Sequence, residues 1–319
     1  MKITIVGPGW MPIPPKGWGA VESLIHDYRT TLEKFGHEVH IVNTPIPEQI
    51  IGLVNALHSD VVHFQLEDYA YLAPHIKCKN VIFTSHYAYL EQPEKWDKGY
   101  HDNFWSFVNS DANIFCLSEG VKSVYSKGGI SEDRLSIVPN GVRDDLFKFS
   151  QDCKFPDSTI YLAKIDFRKR QHMFQNIPGI YFAGNLADDR FNSDSDFYLG
   201  EWTKDYLYEN LTNYANLALL SDGEAHSLVC LEAMSAGLGI VISEYCTANL
   251  DTDLPFIDVI PEDKIQDEEY IAKILKENRE KSIPMREEIR KYVVDNFSWE
   301  TIVKNYYLPE VEKLVEKDE

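Results

Sequence analysis

The stretch Asn216-Leu-Ala-Leu-Leu-Ser-Asp-Gly-Glu224-Ala-His-Ser-Leu-Val-Cys-Leu-Glu232-Ala-Met-Ser-Ala-Gly237-Leu-Gly-Ile-Val-Ile-Ser243 reads as strand, loop, helix and strand in immediate succession. Its first run, to Ser221, is apolar and short enough for a buried strand, and Ser-Asp-Gly-Glu is turn chemistry. Ser227 is placed to N-cap a helix over Leu228 to Ala236, which Gly237 stops as a C′ residue. The run from Gly239 to Ser243 is a second buried strand. Glu224 therefore lies on a strand-to-helix loop, where open α/β sheets bind ligands, and the free N–H groups at the helix start attract phosphate. Glu232 is the odd residue of the helix, because Leu228, Val229, Leu231, Ala233 and Met234 leave little polar face. A carboxylate there meets a ligand's hydroxyls, reaches solvent, or pairs with a lysine or arginine.

The same alternation extends in both directions. Short β-rich runs at Ile3 to Val6, Glu38 to Val42, Val61 to Phe64, Val81 to Thr84, Ala112 to Leu117 and Leu135 to Val138 are separated by helical or turn-rich segments. A second series follows at Thr159 to Ile165, Gly179 to Ala183, Asp196 to Leu199, Asn216 to Leu220, Gly239 to Ser243 and Phe256 to Ile260. Such alternation predicts βαβ units and parallel sheets, so the fold class is α/β with two Rossmann-like domains. The junction is expected near Phe147 to Ser158, where Ser150-Gln-Asp-Cys-Lys-Phe-Pro-Asp-Ser reads as a polar linker. The domains are accordingly 1–150 and 151–299, with a terminal helix at about 300–319.

Composition excludes several classes. The chain has 319 residues, 44% of them apolar, which suits two domains with cores of their own. A formal net charge of −20 argues against nucleic acid or an anionic membrane surface as the main partner. No apolar run approaches a membrane span or a signal segment, while peripheral membrane contact and the oligomeric state stay open. Five widely spaced cysteines without a Cys-x-x-Cys pair suit a reducing cytoplasm.

Against this acidic background, Lys164-Ile-Asp-Phe-Arg168-Lys169-Arg170 concentrates four cations within seven residues. The run directly follows an apolar strand, so it is expected at the sheet edge, where a focused field holds an anion; a solvated charge run is the plainer alternative. Pro8 to Pro15 and then Lys16-Gly-Trp-Gly-Ala-Val-Glu22 form a glycine loop opening a helix to about Phe35, stopped by Gly36. His63 and His86 each end an apolar strand. His86 leads into an aromatic, polar loop through Tyr87, Tyr89 and Glu91 and is the functional candidate, whereas His63 reads as structural. Asp194-Ser-Asp196 and Asp251-Thr-Asp253 match an Asp-x-Asp metal pair, a triplet that arises readily by chance in acidic chains, and no metal site is expected. Metalloprotease, serine hydrolase and P-loop signatures are absent.

Taken together, these motifs resemble glycosyltransferase family 4, retaining enzymes of GT-B architecture with two parallel-sheet domains facing across a cleft. The family's Glu-x7-Glu signature is matched by Glu224 and Glu232, with Leu231-Glu-Ala-Met-Ser-Ala-Gly237; His226-Ser227 stands in place of the usual Phe-Gly, and Gly239 where Pro is common. Pro14-Pro15, Gly17, Gly19, Glu22 and Gly36-His-Glu-Val39 match its first-domain loop, with Ala20 replacing a glycine. Ser136-Ile-Val-Pro-Asn-Gly-Val142 resembles its turn into the second domain, and Phe197-Tyr-Leu-Gly200-Glu-Trp its base-holding strand and turn.

The resemblance implies transfer of a sugar from a UDP- or GDP-linked donor to a hydroxyl acceptor, with retention and without metal or other cofactor. It implies catalytic roles for Glu224, which contacts the donor sugar, and His86. Donor binding would fall to Gly19, Lys164 in an arginine's place, Lys169 or Arg170, Ser227, Leu228 and Glu232, the last on the ribose. The terminal helix would cross back onto the first domain. A sugar-nucleotide-binding protein without transferase activity, or a GT-B epimerase or phosphorylase, are the alternatives.

Overall fold

A computed structural model describes residues 1–17 and 19–316. Trp18 of the glycine loop and the expected helix end at 317–319 lie outside the described residues. Strands β1 (Lys2–Val6), β2 (Glu38–Val42), β3 (Val61–Phe64), β4 (Val81–Phe83), β5 (Asn113–Cys116) and β6 (Leu135–Ile137) form one sheet, ordered β2-β1-β3-β4-β5-β6. Strands β7 (Phe155–Leu162), β8 (Ile180–Ala183), β9 (Tyr214–Leu219), β10 (Gly239–Ser243) and β11 (Ile257–Ile260) form the other, ordered β11-β10-β9-β7-β8. Every described pairing is parallel.

The connecting helices of the first part are α1 (Ala20–Lys34), α2 (Pro47–Leu57), α3 (Lys98–Val108) and α4 (Glu119–Lys127). Those of the second are α5 (Gln171–Phe174), α6 (Lys204–Asn210), α7 (Leu228–Ser235), α8 (Glu268–Ser282) and α9 (Arg286–Phe297). The chain closes with α10 (Trp299–Ile302), a π-helical turn at Val303–Tyr307 and α11 (Leu308–Glu316). No described helix is long and apolar enough to cross a membrane.

The chain divides into two compact units, Met1–Gly141 with the segment from Trp299 onward, and Val142–Ser298. In the first, Ile3, Ile5, Val61, Val62 and Phe64 are fully buried, as strands covered on both faces require. Trp299 packs its ring 4.5 Å from that of Tyr28, and Tyr307 lies 5.1 Å from Tyr28 and 5.6 Å from His63, so aromatic burial holds the end of the chain on this unit.

In the second unit β9 and β10 are buried along their whole length. Gly239 is needed there for space: a Cβ would lie 1.8 Å from Ser282 Oγ, so its absence lets α8 approach β10. Helix α7 ends one residue short of expectation, with Ala236 as C-cap and Gly237 at φ +84°.

Two sequence expectations are corrected. Of the polar linker, Phe155 to Ser158 is instead the first half of β7, where Phe155 pairs with Tyr214 and a register shift before Thr159 accommodates Pro156. Residues 142–150 are already tied to the second unit: Val142 donates to Phe297 O at 2.8 Å, Lys148 to Tyr208 O at 2.9 Å and Ser150 to Thr212 Oγ1 at 3.0 Å. The expected strand at Asp196 to Leu199 reduces to one bridge between Tyr198 and Phe182, because the turn from Ser195 runs up to Tyr198, whose N–H donates to Ser195 O at 3.0 Å.

Arg286, at the start of α9, is 0% exposed and joins the segments of this unit. Its guanidinium donates to Ser150 O (2.8 Å), Tyr214 O (3.0 Å), Thr212 O (2.5 Å) and Ala236 O (3.2 Å). Arg286→Met would strand these carbonyls without a donor and is expected to destabilise the fold by on the order of 3–5 kcal/mol, read as a fall in the urea midpoint. Lys291→Ala, which removes an exposed pair with Asp295, should change stability by less than about 1 kcal/mol; equal midpoints for the two variants would refute the assignment.

Candidate functional site

The order of the second sheet reverses at β7, whose connection leads outward to β8 before the chain returns to β9 on the other side. Loops after β7 and β9 therefore part above the carboxyl ends of adjacent strands, leaving the crevice where open sheets hold ligands. The four cations lie on the first loop and Glu224 on the second.

Both loops are held rigidly. Tyr161, fully buried in β7, donates its hydroxyl to Lys169 O and accepts from the Leu220 N–H at 2.8 Å, so one side chain fixes both. Asp222 N donates to Arg168 O at 3.0 Å, and Asp166 Oδ1 accepts from Lys169 N at 3.0 Å. Arg170 takes a left-handed backbone at φ 58° and aims its guanidinium away, forking onto Glu262 at 2.7 and 2.9 Å. Its charge is committed there.

Lys169 instead turns its ammonium onto Glu224 Oε1, with both side chains 12% exposed. Burial pushes the Glu224 carboxyl up, but the Lys169 ammonium and the Arg168 guanidinium outweigh it and hold the group below the usual carboxylate range. Lys164 is exposed on the same loop, with no ion pair among the described residues.

Helix α7 rises from the Glu224 loop. Ser227 occupies its N-cap position, yet its side chain makes no capping bond and lies instead against Cys230, so no side chain caps the first turn at Leu228. His226 is buried with its ring 5.8 Å from that of Phe297, and burial lowers it to about 4, leaving a neutral ring at that position. Glu232 meets Lys204 of α6 at 4.0 Å, the pairing with a lysine that its apolar helix left open.

In the first unit Gly19 N-caps α1 at φ +133°, where a Cβ would meet Pro15 and Glu22 at 3.0 Å. His86 follows β4, its Nε2 2.9 Å from Gln65 Oε1, and burial lowers it to about 4. His63 is fully buried and bonded to Thr84 at 2.8 Å, as a structural histidine should be. Asp194, Asp196, Asp251 and Asp253 are exposed on turns.

Sequence reasoning passed over Tyr161, Glu262 and Arg168 as site residues. Arg168 stood in the basic run, but only its field at Glu224 distinguishes it. It also passed over Gln65 and Glu67; the latter is buried, accepts from Ser85 Oγ at 2.8 Å and is pushed by burial to about 7.

No protein-family model and no curated protein matches the sequence. Solved structures do match it in shape. HepE of Anabaena in complex with UDP-glucose is 15% identical, with a TM-score of 0.72 over 99% of this chain and 100% of that one. Sucrose-phosphate synthase of Thermosynechococcus elongatus is 14% identical, with a TM-score of 0.76 over 100% of both chains. The lipopolysaccharide outer core galactosyltransferase WaaB is 15% identical, with a TM-score of 0.69 over 100% of both. At such identities the likeness is one of fold: the chain has the two-domain GT-B architecture.

The Lys169 and Glu224 pair makes a signed prediction. A carboxyl held below its unfolded value stabilises the fold above the ordinary carboxylate range, and that stability is lost as pH falls through the folded value. In Lys169→Met the burial of Glu224 loses its main counterweight, so the carboxyl should rise and the variant should be destabilised near pH 7. The gap to wild type should narrow towards about pH 4.5 as the carboxyl is protonated, and Glu224→Gln added to the variant should close it. Thermal unfolding across this range checks it; a gap independent of pH would exclude the coupling.

Proposed function

We propose that the protein is a retaining, metal-independent glycosyltransferase that moves a sugar from a nucleoside-diphosphate sugar to a hydroxyl acceptor. The observation that carries this reading is the arrangement at the reversal of the second sheet, where a largely buried carboxylate, Glu224, meets Lys169 beside the uncapped start of the helix bearing Glu232. A diphosphate needs cations and N–H donors, and a sugar needs a fixed acceptor for its hydroxyls. That crevice offers both within one short loop pair. HepE, described above, was solved with UDP-glucose, and also with UDP and glucose, which supports a donor of this class.

In this reading Lys169, Lys164 and the first turn of α7 at Ser227 and Leu228 take up the charge of the leaving diphosphate, the task a metal ion performs elsewhere. Arg170, forked onto Glu262, positions the loop. Glu224 orients the sugar hydroxyls and Glu232 the ribose, exchanging Lys204 for the diol. The bond from C1 to the phosphate oxygen breaks and the bond from C1 to the acceptor oxygen forms on the same face. The acceptor proton passes to the departing phosphate, so no protein carboxylate acts as nucleophile. A reducing cytoplasm suits the five free cysteines.

Calorimetry with UDP and GDP, with and without chelator, tests donor binding; loss of binding in chelator would refute metal independence. Lys164→Met with Lys169→Met should weaken diphosphate far more than nucleoside, by roughly ten- to a hundred-fold per charge-assisted bond lost. Glu224→Gln should mainly lower kcat and Glu232→Gln mainly weaken nucleotide binding. NMR of the product should show the donor anomer retained. Full activity in Glu224→Gln, or an inverted product, would refute the mechanism; binding without turnover would favour a sugar-nucleotide-binding protein.

A further inference from the structure

The first unit has a cavity of about 390 Å³ at the edge of its sheet where β3 and β4 begin, the edge opposite to their carboxyl ends. That volume suits a small molecule. Its walls are the last turn of α2 with the turn that follows it, the segment entering β4, and Val315 of α11, all within this one unit. They are bonded to one another. Asn55 of α2 accepts from the Lys77 N–H at 2.8 Å and donates to His75 O at 3.0 Å, which ties the segment before β4 to the helix. Asn80 donates to Asp60 O at 3.1 Å, and Asp60 Oδ2 accepts from the Lys2 N–H at 2.7 Å. His58 turns the chain out of α2 with a left-handed backbone at φ 48°. A ligand therefore meets a shape fixed in advance, and little affinity is lost to ordering the site.

Charge and apolar surface divide this cavity. Lys77 and Lys79 stand two residues apart on its exposed rim, and Lys77 has no ion pair among the described residues. Asp60, the one carboxylate of the lining, already accepts from Lys2. Val54 and Val315 supply an apolar wall. Two ammonium groups match a phosphomonoester, which carries about −1.5 to −2 charge at neutral pH, and the valines match an organic body. We infer that the cavity binds a small soluble phosphomonoester, with its phosphate on Lys77 and Lys79 and its organic body against Val54 and Val315. A chain of net charge −20 is repelled by an anionic bilayer, which favours a soluble phosphate over a lipid headgroup. No residue of this site belongs to the second unit, so the assignment does not rest on the transferase reading.

Cys78, half-buried in the cavity wall with its thiol 3.5 Å from Asp60 O, is a local reporter. Cys116, Cys230 and Cys246 are buried, and Cys153→Ser removes the other half-buried thiol. In that full-length variant, phenyl phosphate should slow the labelling of Cys78 by N-ethylmaleimide to a saturating limit. Inorganic phosphate should protect more weakly, and phenol or vesicles containing phosphatidic acid should not protect. Lys77→Met should raise the half-protecting concentration about tenfold, and Lys79→Met with it about a hundredfold. Val315→Asp, which sets a carboxylate in the wall from a helix far along the chain, should abolish protection. Lys164→Met with Lys169→Met should leave it unchanged. No protection at millimolar phenyl phosphate, equal protection by phenol, protection by the vesicles alone, or full protection in a folded Lys77→Met, Lys79→Met variant would overturn the inference. Protection in a protein that binds no UDP or GDP would uphold this site and overturn the transferase reading alone.

Discussion

A buried guanidinium carries much of the second unit. Arg286 is surrounded by main-chain carbonyls from the segment entering β7, the approach to β9 and the end of α7, and donates to all of them. Buried carbonyls must be paired, so the position of each segment is linked to the position of the others. Arg290, one turn on, adds bonds to Ser235 O and to Asp144 O. The far end of α7 is thereby pinned, and the near end, with Glu224, is held relative to the sheet. A cation placed wholly among neutral dipoles organises the scaffold while leaving the loop cations for other partners.

Above that frame, topology gathers the polar residues. In both sheets the polar residues of interest lie at the carboxyl end of a strand next to the reversal of strand order: Lys169 and Glu224 in the second, Gln65 in the first. Connections leaving in opposite directions part above the sheet at that point, and the strand ends beside it are where open sheets hold ligands. Tyr161 exploits this geometry from below, tying one loop's carbonyl to the other loop's N–H through one hydroxyl.

The electrostatics follow the same economy. A chain of net charge −20 repels anions at long range, yet Lys164, Arg168 and Lys169 gather positive charge at one sheet edge, where the low-dielectric interior limits screening. Pairing with Lys169 holds the Glu224 carboxyl ionised against the cost of its burial. Arg170 shows the contrary solution: forked onto Glu262, it stiffens the loop at the expense of a free charge.

The sequence by itself determined the two series of parallel strands, the helix stop at Gly237, and the placement of Glu224 and the four cations on loops at strand ends. Apolar periodicity and turn chemistry are local properties, and a strand that must be buried on both faces shows itself in a few consecutive residues. The extent of β7 was not legible, because Lys-Phe-Pro-Asp-Ser is polar and only the partner strand β9 gives it a ladder. Neither was the loss of the strand at Asp196 to Leu199, where a preceding turn overrode a suitable apolar run. Which cation meets Glu224 was decided by tertiary structure, since Lys169 and Arg170 are neighbours in sequence and differ only in what faces them. Gln65 and Arg286 were invisible for the same reason: a hydrogen bond between residues tens of positions apart leaves no periodic trace, and its partners become known only when the sheet sets them side by side.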